Sequence, residues 1–327
     1  MKVLVAGGAG YIGSHTCKAL AEAGHTPVVY DSLHSGHAWA VKWGAFERGD
    51  LNDAATLAAA LKRHRPEAVV NLAGLIDVGQ SSRDPTLYYR HNVGSVIALL
   101  ETMRAHDVGS IVFSSSCAVY GVPARVPIGE GAALAPINPY GRSKLMAEMM
   151  LRDACAAQGL AAVALRYFNA SGADAAGELG EEHDPETHLI PLVLQAAAGL
   201  RPGISVFGSD YDTPDGTCIR DYIHVTDLAT AHLAALSACT PGKFAAFNLG
   251  TGKGASIKEV ITHARAITGK KIAVTSAPRR AGDPPRLVAD ASLAATGLNW
   301  RPVHSDPENI IRTAWRWMSE HRSRAST

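Results

Sequence analysis

The chain has 327 residues, of which 47% are hydrophobic and 19% are charged, with a formal net charge of +1. This composition predicts a folded protein with a sizeable core, and the near-neutral charge excludes the basic surface that nucleic acid or an anionic membrane would require. The five cysteines are scattered and form no C-x-x-C pair. We therefore expect no disulfide framework, no nucleic-acid or membrane partner, and a location in a reducing cytoplasm.

Short apolar runs alternate with longer alanine- and leucine-rich stretches in the first half of the chain. The runs predict buried strands at 2–7, 27–31, 68–74, 110–116 and 162–169. The stretches between them predict helices at 11–24, 52–65, 92–107 and 139–159. This alternation is typical of an α/β protein with a Rossmann-type, doubly wound parallel sheet, in which ligands bind beyond the carboxyl ends of the strands.

The second half of the chain has a different character. Segments 171–188 and 208–224 are long, polar and rich in glycine and acidic residues, and connections of this length in a compact protein are usually functional or disordered. Residues 224–236 predict a helix, and residues 246–252 predict a strand that returns to the first sheet. The proline- and arginine-rich remainder predicts a smaller α/β lobe that holds a substrate.

A glycine-rich turn joins the first predicted strand to its helix. In "GGAGYIG", Gly7, Gly10 and Gly13 allow a tight turn and let backbone N–H groups approach a diphosphate at the positive end of the helix. Asp31 ends the second strand, where a carboxylate can accept from both ribose hydroxyls and repels a 2′-phosphate. No arginine follows it in "SLHSG", so the motif favours NAD over NADP. The plainer alternative is a glycine turn beside an acidic surface residue.

These patterns divide the chain into two expected parts. The NAD-binding domain comprises residues 1–168 and about 223–250. The substrate lobe at the C-terminal side comprises about 169–222 and 251–327.

A second motif places a tyrosine and a lysine on one helix. In "NPYGRSK", Tyr140 and Lys144 are about one turn apart and therefore share a face. Upstream, "SSSCAVYG" puts Ser116 at the carboxyl end of a strand. Together they predict a hydride-transfer site, in which the ammonium and an oxidised nicotinamide lower the pKa of the phenol from about 10 so that it can act as a base. Without that context, a Tyr-x-x-x-Lys pair is usually a solvated helix pair.

Several segments, read in order, resemble the extended short-chain dehydrogenase/reductases, and closely the UDP-galactose (UDP-glucose) 4-epimerases of that family. The resemblance runs nearly end to end, through "VLVAGGAGYIGSHT", "AGLIDVGQS", "FSSSCAVYG", "NPYGRSKLMAE", "LRYFNASGA", "DGTCIRDYIHVTDLA", "FNLGTG" and "APRRAGDP". It implies reversible epimerisation of UDP-galactose and UDP-glucose at sugar carbon 4, through a 4-keto intermediate and with transient reduction of bound NAD. It also implies a homodimer that is built through helices 92–106 and 140–158.

The resemblance also implies the residues of the site. The catalytic set is Ser116, Tyr140 and Lys144. The residues that line NAD are Gly7, Gly10, Tyr11, Ile12, Gly13, Asp31, Ser32, Asp50, Leu51, Leu72, Ala73, Gly74, Asn92, Lys144 and Phe168. The residues that hold the UDP-sugar are Ser116, Tyr140, Asn169, His188, Leu189, Val206, Phe207, Arg220, Tyr222, Arg280, Asp283 and Leu287. The arginines suit a diphosphate, because guanidinium groups pair bidentately with phosphate oxygens.

Three departures from the family pattern carry predictions of their own. Ile76 stands where the family often has a lysine, which predicts weaker retention of NAD. Cys117 and Ala118 stand where sugar-nucleotide 4,6-dehydratases have an Asp-Glu pair, which argues against dehydration. Leu287 falls at a pocket-wall position and is smaller than tyrosine, which predicts some acceptance of N-acetylated sugars.

Two alternative functions stay open. The first is 4-epimerisation of another UDP-sugar, such as an N-acetylhexosamine, a pentose or a uronate. The second is a non-catalytic NAD-sensing regulator, which would need the glycines but not the Ser-Tyr-Lys set, because a fold alone does not determine a function.

Fourteen histidines raise the question of a metal site. The segment "EEHDPETH" clusters Glu181, His183, Asp184 and His188, but it lacks the helical H-E-x-x-H register and is predicted to be a flexible polar loop. We therefore expect no metal ion there.

Overall fold

The computed structural model of the protein describes residues 1–280 and 283–325. Its strands are β1 (Lys2–Ala6), β2 (Thr26–Asp31), β3 (Ala45–Arg48), β4 (Ala68–Asn71), β5 (Ser110–Ser116), β6 (Ala161–Tyr167), β7 (Asn169–Ser171), β8 (Ile204–Phe207), β9 (Ile219–Arg220), β10 (Tyr222–His224), β11 (Phe244–Leu249), β12 (Ala255–Ser256), β13 (Val274–Ala277) and β14 (Arg286–Leu287). Its α-helices are α1 (Tyr11–Glu22), α2 (Ala54–His64), α3 (Val78–Arg83), α4 (Pro85–Tyr89), α5 (Ser95–Ala105), α6 (Pro139–Gln158), α7 (Leu189–Ala197), α8 (Val225–Ala238), α9 (Ile257–Thr268), α10 (Ser292–Gly297) and α11 (Pro307–Ala325).

Seven strands form one parallel sheet in the order β11-β6-β5-β4-β1-β2-β3. The chain builds the sheet outward from β1 in one direction and then crosses to build it in the other, so the sheet is doubly wound. The predicted Rossmann-type fold is confirmed, and the predicted strand at 246–252 does return to this sheet as part of β11. No apolar run marks β3, because it lies at the sheet edge and its side chains are largely exposed.

Helices cover both faces of this sheet. On one face, α1 and α8 bury Leu20 and Leu228. On the other face, α2, α5 and α6 bury Leu57, Leu99 and Leu151. Burial on both sides explains why the central strands are continuous apolar runs rather than alternating ones.

Three small sheets lie in the later part of the chain, with the orders β10-β7, β12-β9-β14 and β13-β8. Helices α7, α9 and α11 pack around an apolar cluster that includes Leu194, Val260 and Ile311. The prediction of an irregular segment over 208–224 is wrong at its end, because β9 and β10 lie there. Residues 172–188 contain neither helix nor strand, as predicted.

One carboxylate fastens the small sheets to the large one. Asp221 lies between β9 and β10 and is fully buried. It accepts hydrogen bonds from the N–H groups of Thr251 at 2.8 Å, Gly252 at 3.0 Å and Ala289 at 3.1 Å, and from the Thr251 hydroxyl at 2.7 Å. Thr251 and Gly252 follow β11 of the large sheet, whereas Ala289 follows β14. Asp221 therefore joins the two groups of strands at one point.

Among the described helices, none is long and apolar enough to cross a membrane. All five cysteines are free thiols. Burial raises the pKa of Cys117, the thiol beside Ser116, to about 11, so it stays neutral at neutral pH.

Candidate active site

The glycine turn between β1 and α1 presents bare backbone. Gly7 has a left-handed conformation (φ +78°), and a Cβ there would lie 2.8 Å from the nitrogen of Ala73. A Cβ on Gly13 would lie 2.0 Å from the carbonyl oxygen of Gly7. Gly10 is the N-cap of α1, whose first N–H groups have no partner within the helix. This donor set, with no room for covering side chains, fits the diphosphate of a dinucleotide.

Asp31 is fixed beside this turn at the end of β2. Its carboxylate accepts hydrogen bonds from the N–H groups of Ala9 at 2.9 Å and Leu33 at 2.8 Å. Burial raises the pKa of Asp31, and the two hydrogen bonds oppose that rise. A carboxylate offers about four lone-pair positions, so the group can still accept from ribose hydroxyls. The residues present therefore fit the adenosine half of NAD.

The other residues predicted to lie on this side surround the turn. The Tyr11 hydroxyl donates to the carbonyl oxygen of Gly172 at 2.6 Å and so ties the turn to the segment after β7. Ser32 and Asp50 accept from backbone N–H groups of their own loops, at 3.3 Å and 2.8 Å. Two further predicted residues contribute apolar surface, Ile12 and Leu51.

The loop after β4 is held against the catalytic helix by an asparagine. Residues 72–74 lie across from the glycine turn. The Asn92 side chain accepts from the N–H of Leu75 at 2.8 Å and donates to the carbonyl oxygen of Leu75 at 3.0 Å and to the hydroxyl of Ser143 at 3.1 Å. Asn92 lies in a π-helical turn, Arg90–Gly94, a distortion that is frequent at functional sites. It therefore positions the loop that is predicted to line NAD.

Strand β5 and helix α6 bring Ser116 and Tyr140 together. Ser116 ends β5, and Tyr140 lies in the first turn of α6, where Asn138 caps the helix by accepting from the N–H of Gly141 at 2.8 Å. A Cβ on Gly141 would lie 2.5 Å from the carbonyl oxygen of Ala118, so only glycine lets the helix begin this close to the loop after β5. The side chains of Ser116 and Tyr140 are close together as a result, and the Ser116 hydroxyl influences the pKa of the phenol.

The protein's own groups do not acidify the phenol. Burial raises the pKa of Tyr140 to about 12, although the neighbouring Ser116 hydroxyl opposes the rise. The Lys144 ammonium lies 5.9 Å from the centre of the Tyr140 ring and donates to the carbonyl oxygen of Ser114 at 2.7 Å. Burial lowers the pKa of Lys144 itself to about 8. In the protein without ligands the pKa of the phenol is therefore not lowered, and the predicted lowering, which includes the charge of an oxidised nicotinamide, stays a prediction.

A buried ion pair supports the catalytic centre. Arg166 on β6 and Glu148 on α6 have side chains that are 3% and 2% exposed, with 2.6 Å between Nη2 and Oε2. Glu148 also accepts from the Ser115 hydroxyl at 2.5 Å, and Arg166 donates to the Tyr120 hydroxyl at 2.9 Å. This network is not among the features that we predicted from the sequence. The available signal was an arginine inside the otherwise apolar strand "AAVALRY", since a charge can be buried there only with a partner.

One of the two predicted diphosphate-binding arginines, Arg220, lies near the Ser116 loop. Arg220 on β9 forms an ion pair with Asp283. Leu287 on β14 is the register partner of Arg220 in the same small sheet. The guanidinium of Arg220 is close enough to Cys117 to oppose the rise in the pKa of that thiol. A cation, an acid and an apolar side chain therefore lie beside the loop that carries Ser116.

The remaining predicted substrate residues extend this side of the site. The Arg280 guanidinium lies 4.1 Å from the centre of the Phe207 ring, in a cation–π contact. Asn169 begins β7, directly after Phe168, and Phe168 packs in the same apolar cluster as Leu287. Two further predicted residues are buried in this part, Val206 and Tyr222.

The segment 181–188 forms a compact cluster of four side chains. One nitrogen or oxygen of each member lies within 4.8 Å of those of the others, and the members are Glu181, His183, Glu186 and His188. Asp184, which the sequence predicts in the cluster in place of Glu186, is exposed. His188 Nδ1 is hydrogen-bonded to Glu181. His183 Nδ1 lies 3.4 Å from Glu181 Oε1 and 3.7 Å from Glu186 Oε2. Two imidazoles and two carboxylates thus balance one another, and we assign no metal ion to them.

A bare glycine turn, a fixed acid and a contiguous Ser-Tyr-Lys group define a dinucleotide-binding enzyme of the hydride-transfer class. The sequence model of the family described as "NAD dependent epimerase/dehydratase family" matches residues 3–250. The predicted resemblance is confirmed, and the chain belongs to the NAD-dependent epimerase/dehydratase family.

Individual relatives are similar over nearly their whole length. A protein of Rhizobium meliloti named UDP-glucose 4-epimerase is 48% identical over 97% of each chain. The crystal structure of UDP-glucose 4-epimerase from Brucella ovis in complex with NAD is 55% identical, with a TM-score of 0.93 over 96% of this chain and 97% of that one. The UDP-Glc/GlcNAc 4-epimerase of Campylobacter jejuni is 41% identical, with a TM-score of 0.85 over 98% of this chain and 99% of that one.

Proposed function

We propose that the protein is an NAD-dependent UDP-sugar 4-epimerase that interconverts UDP-galactose and UDP-glucose. One observation carries the proposal: the neighbouring Ser116 and Tyr140 and the buried Lys144 lie at the same end of the sheet as the bare glycine turn. The names of the relatives support the same reaction. A non-catalytic NAD sensor would have no use for these three groups, so the regulator alternative is disfavoured.

The roles of the NAD-binding residues follow from the hydrogen-bonding groups that they present. The glycine turn binds the diphosphate of NAD, Asp31 accepts from the adenosine ribose, and Lys144 donates to the nicotinamide ribose. When bound, NAD takes a hydride from sugar carbon 4 and returns it to the opposite face, so none is consumed. Ile76 is exposed and uncharged and adds no attraction for the cofactor.

The proposal also assigns the binding of NAD and of the UDP-sugar to different parts of the chain. Residues 1–168 and about 223–250 bind NAD, and about 169–222 together with 251–327 bind the UDP-sugar. We place the enzyme in the cytoplasm, where its free thiols stay reduced.

Tyr140 carries the proton transfer. It removes the proton of the sugar 4-hydroxyl as the hydride leaves carbon 4, and it returns a proton to the oxygen when the hydride comes back. Ser116 forms a hydrogen bond with that sugar oxygen and holds it in position for proton transfer to Tyr140. Because burial raises the pKa of Tyr140 to about 12, the phenol is protonated in the free protein at neutral pH. Its deprotonation therefore needs cationic charge that arrives with the ligands.

Two arginines anchor the substrate. Arg220 and Arg280 bind the diphosphate. Arg220 pairs with the Asp283 carboxylate in the absence of substrate, and the diphosphate either displaces this carboxylate or binds to the guanidinium beside it. The sugar then lies between Tyr140 and the wall that contains Leu287.

The proposal has a direct test. Purified protein is analysed for bound NAD by absorbance and mass, and UDP-galactose is then supplied without added cofactor. We expect UDP-glucose to form, with a panel of pentose and uronate UDP-sugars converted much more slowly. Absence of conversion even after NAD is added would overturn the proposal. Faster conversion of a pentose or uronate UDP-sugar would show that this sugar, and not galactose, is the preferred substrate.

The size of the sugar pocket yields a prediction at Leu287. This side chain is half-buried against Phe168 and the loop after Ser116, and leucine leaves more room than tyrosine. We expect conversion of UDP-N-acetylglucosamine by the natural chain, and a loss of about 10-fold or more in its kcat/KM in Leu287→Tyr, with UDP-glucose much less affected. The measurement is kcat/KM for both sugars. No conversion of the N-acetylated sugar by the natural chain would contradict the prediction.

We also propose a homodimer that forms through α5 and α6. Ile97, Met146 and Met149 are 46%, 41% and 57% exposed on these helices, and pairing with a second copy would bury them. We expect the double variant Ile97→Glu/Met149→Glu to be a folded monomer by light scattering, because four buried carboxylates would face one another. Val303→Glu, at a 78% exposed position elsewhere, is the matched control and should stay dimeric. A monomeric natural chain would refute the proposal.

A further inference from the structure

The cluster that precedes α7 contains a carboxylate directed at a predicted substrate residue. The side chain of Glu181 is 5% exposed and that of His188 is 40% exposed. A carboxylate oxygen of Glu181 is hydrogen-bonded to Nδ1 of His188. Since Nδ1 is engaged by the carboxylate, Nε2 is the nitrogen of His188 that is left for a ligand. The arrangement is that of an imidazole oriented by a buried acid.

His188 also stands at a helix terminus. It is the N-cap of α7, a helix of nine residues, and its side chain makes no capping hydrogen bond. The first N–H groups of a helix lack partners within the helix and carry partial positive charge. An anion in front of α7 would meet these N–H groups and the free nitrogen of His188 together.

We propose that Glu181 is a positioning residue for substrate binding, which holds His188 so that its Nε2–H donates to the diphosphate of the UDP-sugar. The proposal rests on the proposed function, in which His188 contacts that substrate. Glu181 itself touches neither the sugar nor the diphosphate.

The charges around His188 agree with this role. Burial lowers the pKa of His188, but the neighbouring charge and hydrogen bond of Glu181 and the charge of Glu186 outweigh it, so the pKa is raised overall. His183 opposes the rise, because its own pKa of about 10 keeps it cationic. Tyr11 faces the cluster from α1, and burial raises its pKa well above the usual value, so it adds no charge.

The sign of the pH dependence follows. A histidine with a raised pKa keeps its positive charge to a higher pH than an ordinary imidazole and loses that charge as the pH rises through the raised pKa. Attraction for the diphosphate is then present on the acidic side and is lost on the alkaline side. Removing the charge of Glu181 lowers the pKa of His188, so the loss should begin at a lower pH.

The test compares Glu181→Gln with the natural enzyme, both loaded with NAD. Glutamine can still accept from Nδ1, so the variant removes charge and retains much of the geometry. We expect KM for UDP-galactose and Kd for UDP to rise about 10-fold at mildly alkaline pH and less at mildly acidic pH, with kcat nearly unchanged. Glu181→Asp should recover part of the affinity. Glu182→Gln, which alters the next residue and its contact with Trp39, is the matched control and should behave like the natural enzyme.

A double-mutant cycle keeps the proposal falsifiable. In a His188→Asn background, Glu181→Gln should change KM by less than about twofold, because its target is gone. A full effect in that background, or an unchanged KM and pH profile in the single variant, would overturn the positioning role while the epimerase function stands. If the natural enzyme neither binds UDP nor converts UDP-galactose, the proposed function fails first. Melting temperature and NAD content distinguish misfolding in any variant.

Discussion

Tyr140→Phe should lower the turnover of UDP-galactose by several orders of magnitude, while UDP still binds. In the proposed function the phenol oxygen is the group that exchanges a proton with the sugar, and a positioned acid–base group contributes about 10²–10⁴-fold on its own. Phenylalanine keeps the ring in the first turn of α6 and removes only the hydroxyl, which lies near Ser116. The measurement is kcat for UDP-galactose together with calorimetric Kd for UDP.

The matched control is Tyr211→Phe. The Tyr211 hydroxyl is buried and has no hydrogen-bond partner among the residues that the structure describes, so its removal should leave kcat within about twofold. Turnover in Tyr140→Phe within about tenfold of the natural enzyme would end the assignment of the base. A spectroscopic titration adds a check: the phenol pKa, about 12 in the free protein, should fall when NAD is bound.

Glu148→Gln should destabilise the protein by about 3–5 kcal/mol, because it leaves the Arg166 guanidinium buried without an opposite charge. The two side chains are 2% and 3% exposed, so water cannot replace the lost partner. The free energy of unfolding would be measured by denaturant titration. If Glu148→Gln does not fold, that outcome agrees with the prediction, and the double variant Glu148→Met/Arg166→Met then tests it.

The double variant should recover much of the stability, since replacing both charges by apolar side chains removes the unpaired group. The control is Glu308→Gln, which breaks the exposed pair with Arg312 and should cost about 0–1 kcal/mol. A loss of less than about 1 kcal/mol in Glu148→Gln would show that the buried pair is not required for stability.

The sequence predicted the large sheet well because its strands are buried on both faces. Such strands are continuous apolar runs, and they ended within a few residues of the predicted bounds at β1, β2 and β5. Strand β3 gave no comparable signal, since an edge strand needs no apolar face. The glycine turn and the Tyr-Lys pair were predictable because each lies within a short segment, and Ser116 because it lies at the end of an apolar strand.

Two kinds of feature could not be predicted from the sequence, namely the burial of a side chain and its contacts with residues far away in the chain. The spacing of Tyr140 and Lys144 placed them on one face of a helix, but it held no information on burial, which raises one pKa and lowers the other. The pairing of Glu148 with Arg166 joins α6 to β6, and no local pattern links them. Glu186 rather than Asp184 faces the two histidines, because an irregular segment has no fixed period from which a face can be inferred.

The anchoring of Asp221 limits how the sugar can be inverted. Arg220 immediately precedes this residue, whose four hydrogen bonds tie it to the loops after β11 and β14. Because the backbone beside Arg220 is fixed in this way, we do not expect Arg220 to travel with a swinging lobe, and in the proposed function a diphosphate bound to it would stay at a constant distance from the phenol. We then expect the two faces of the ketone to be exchanged by torsion about the single bonds between phosphorus and the hexose, inside a stationary chamber.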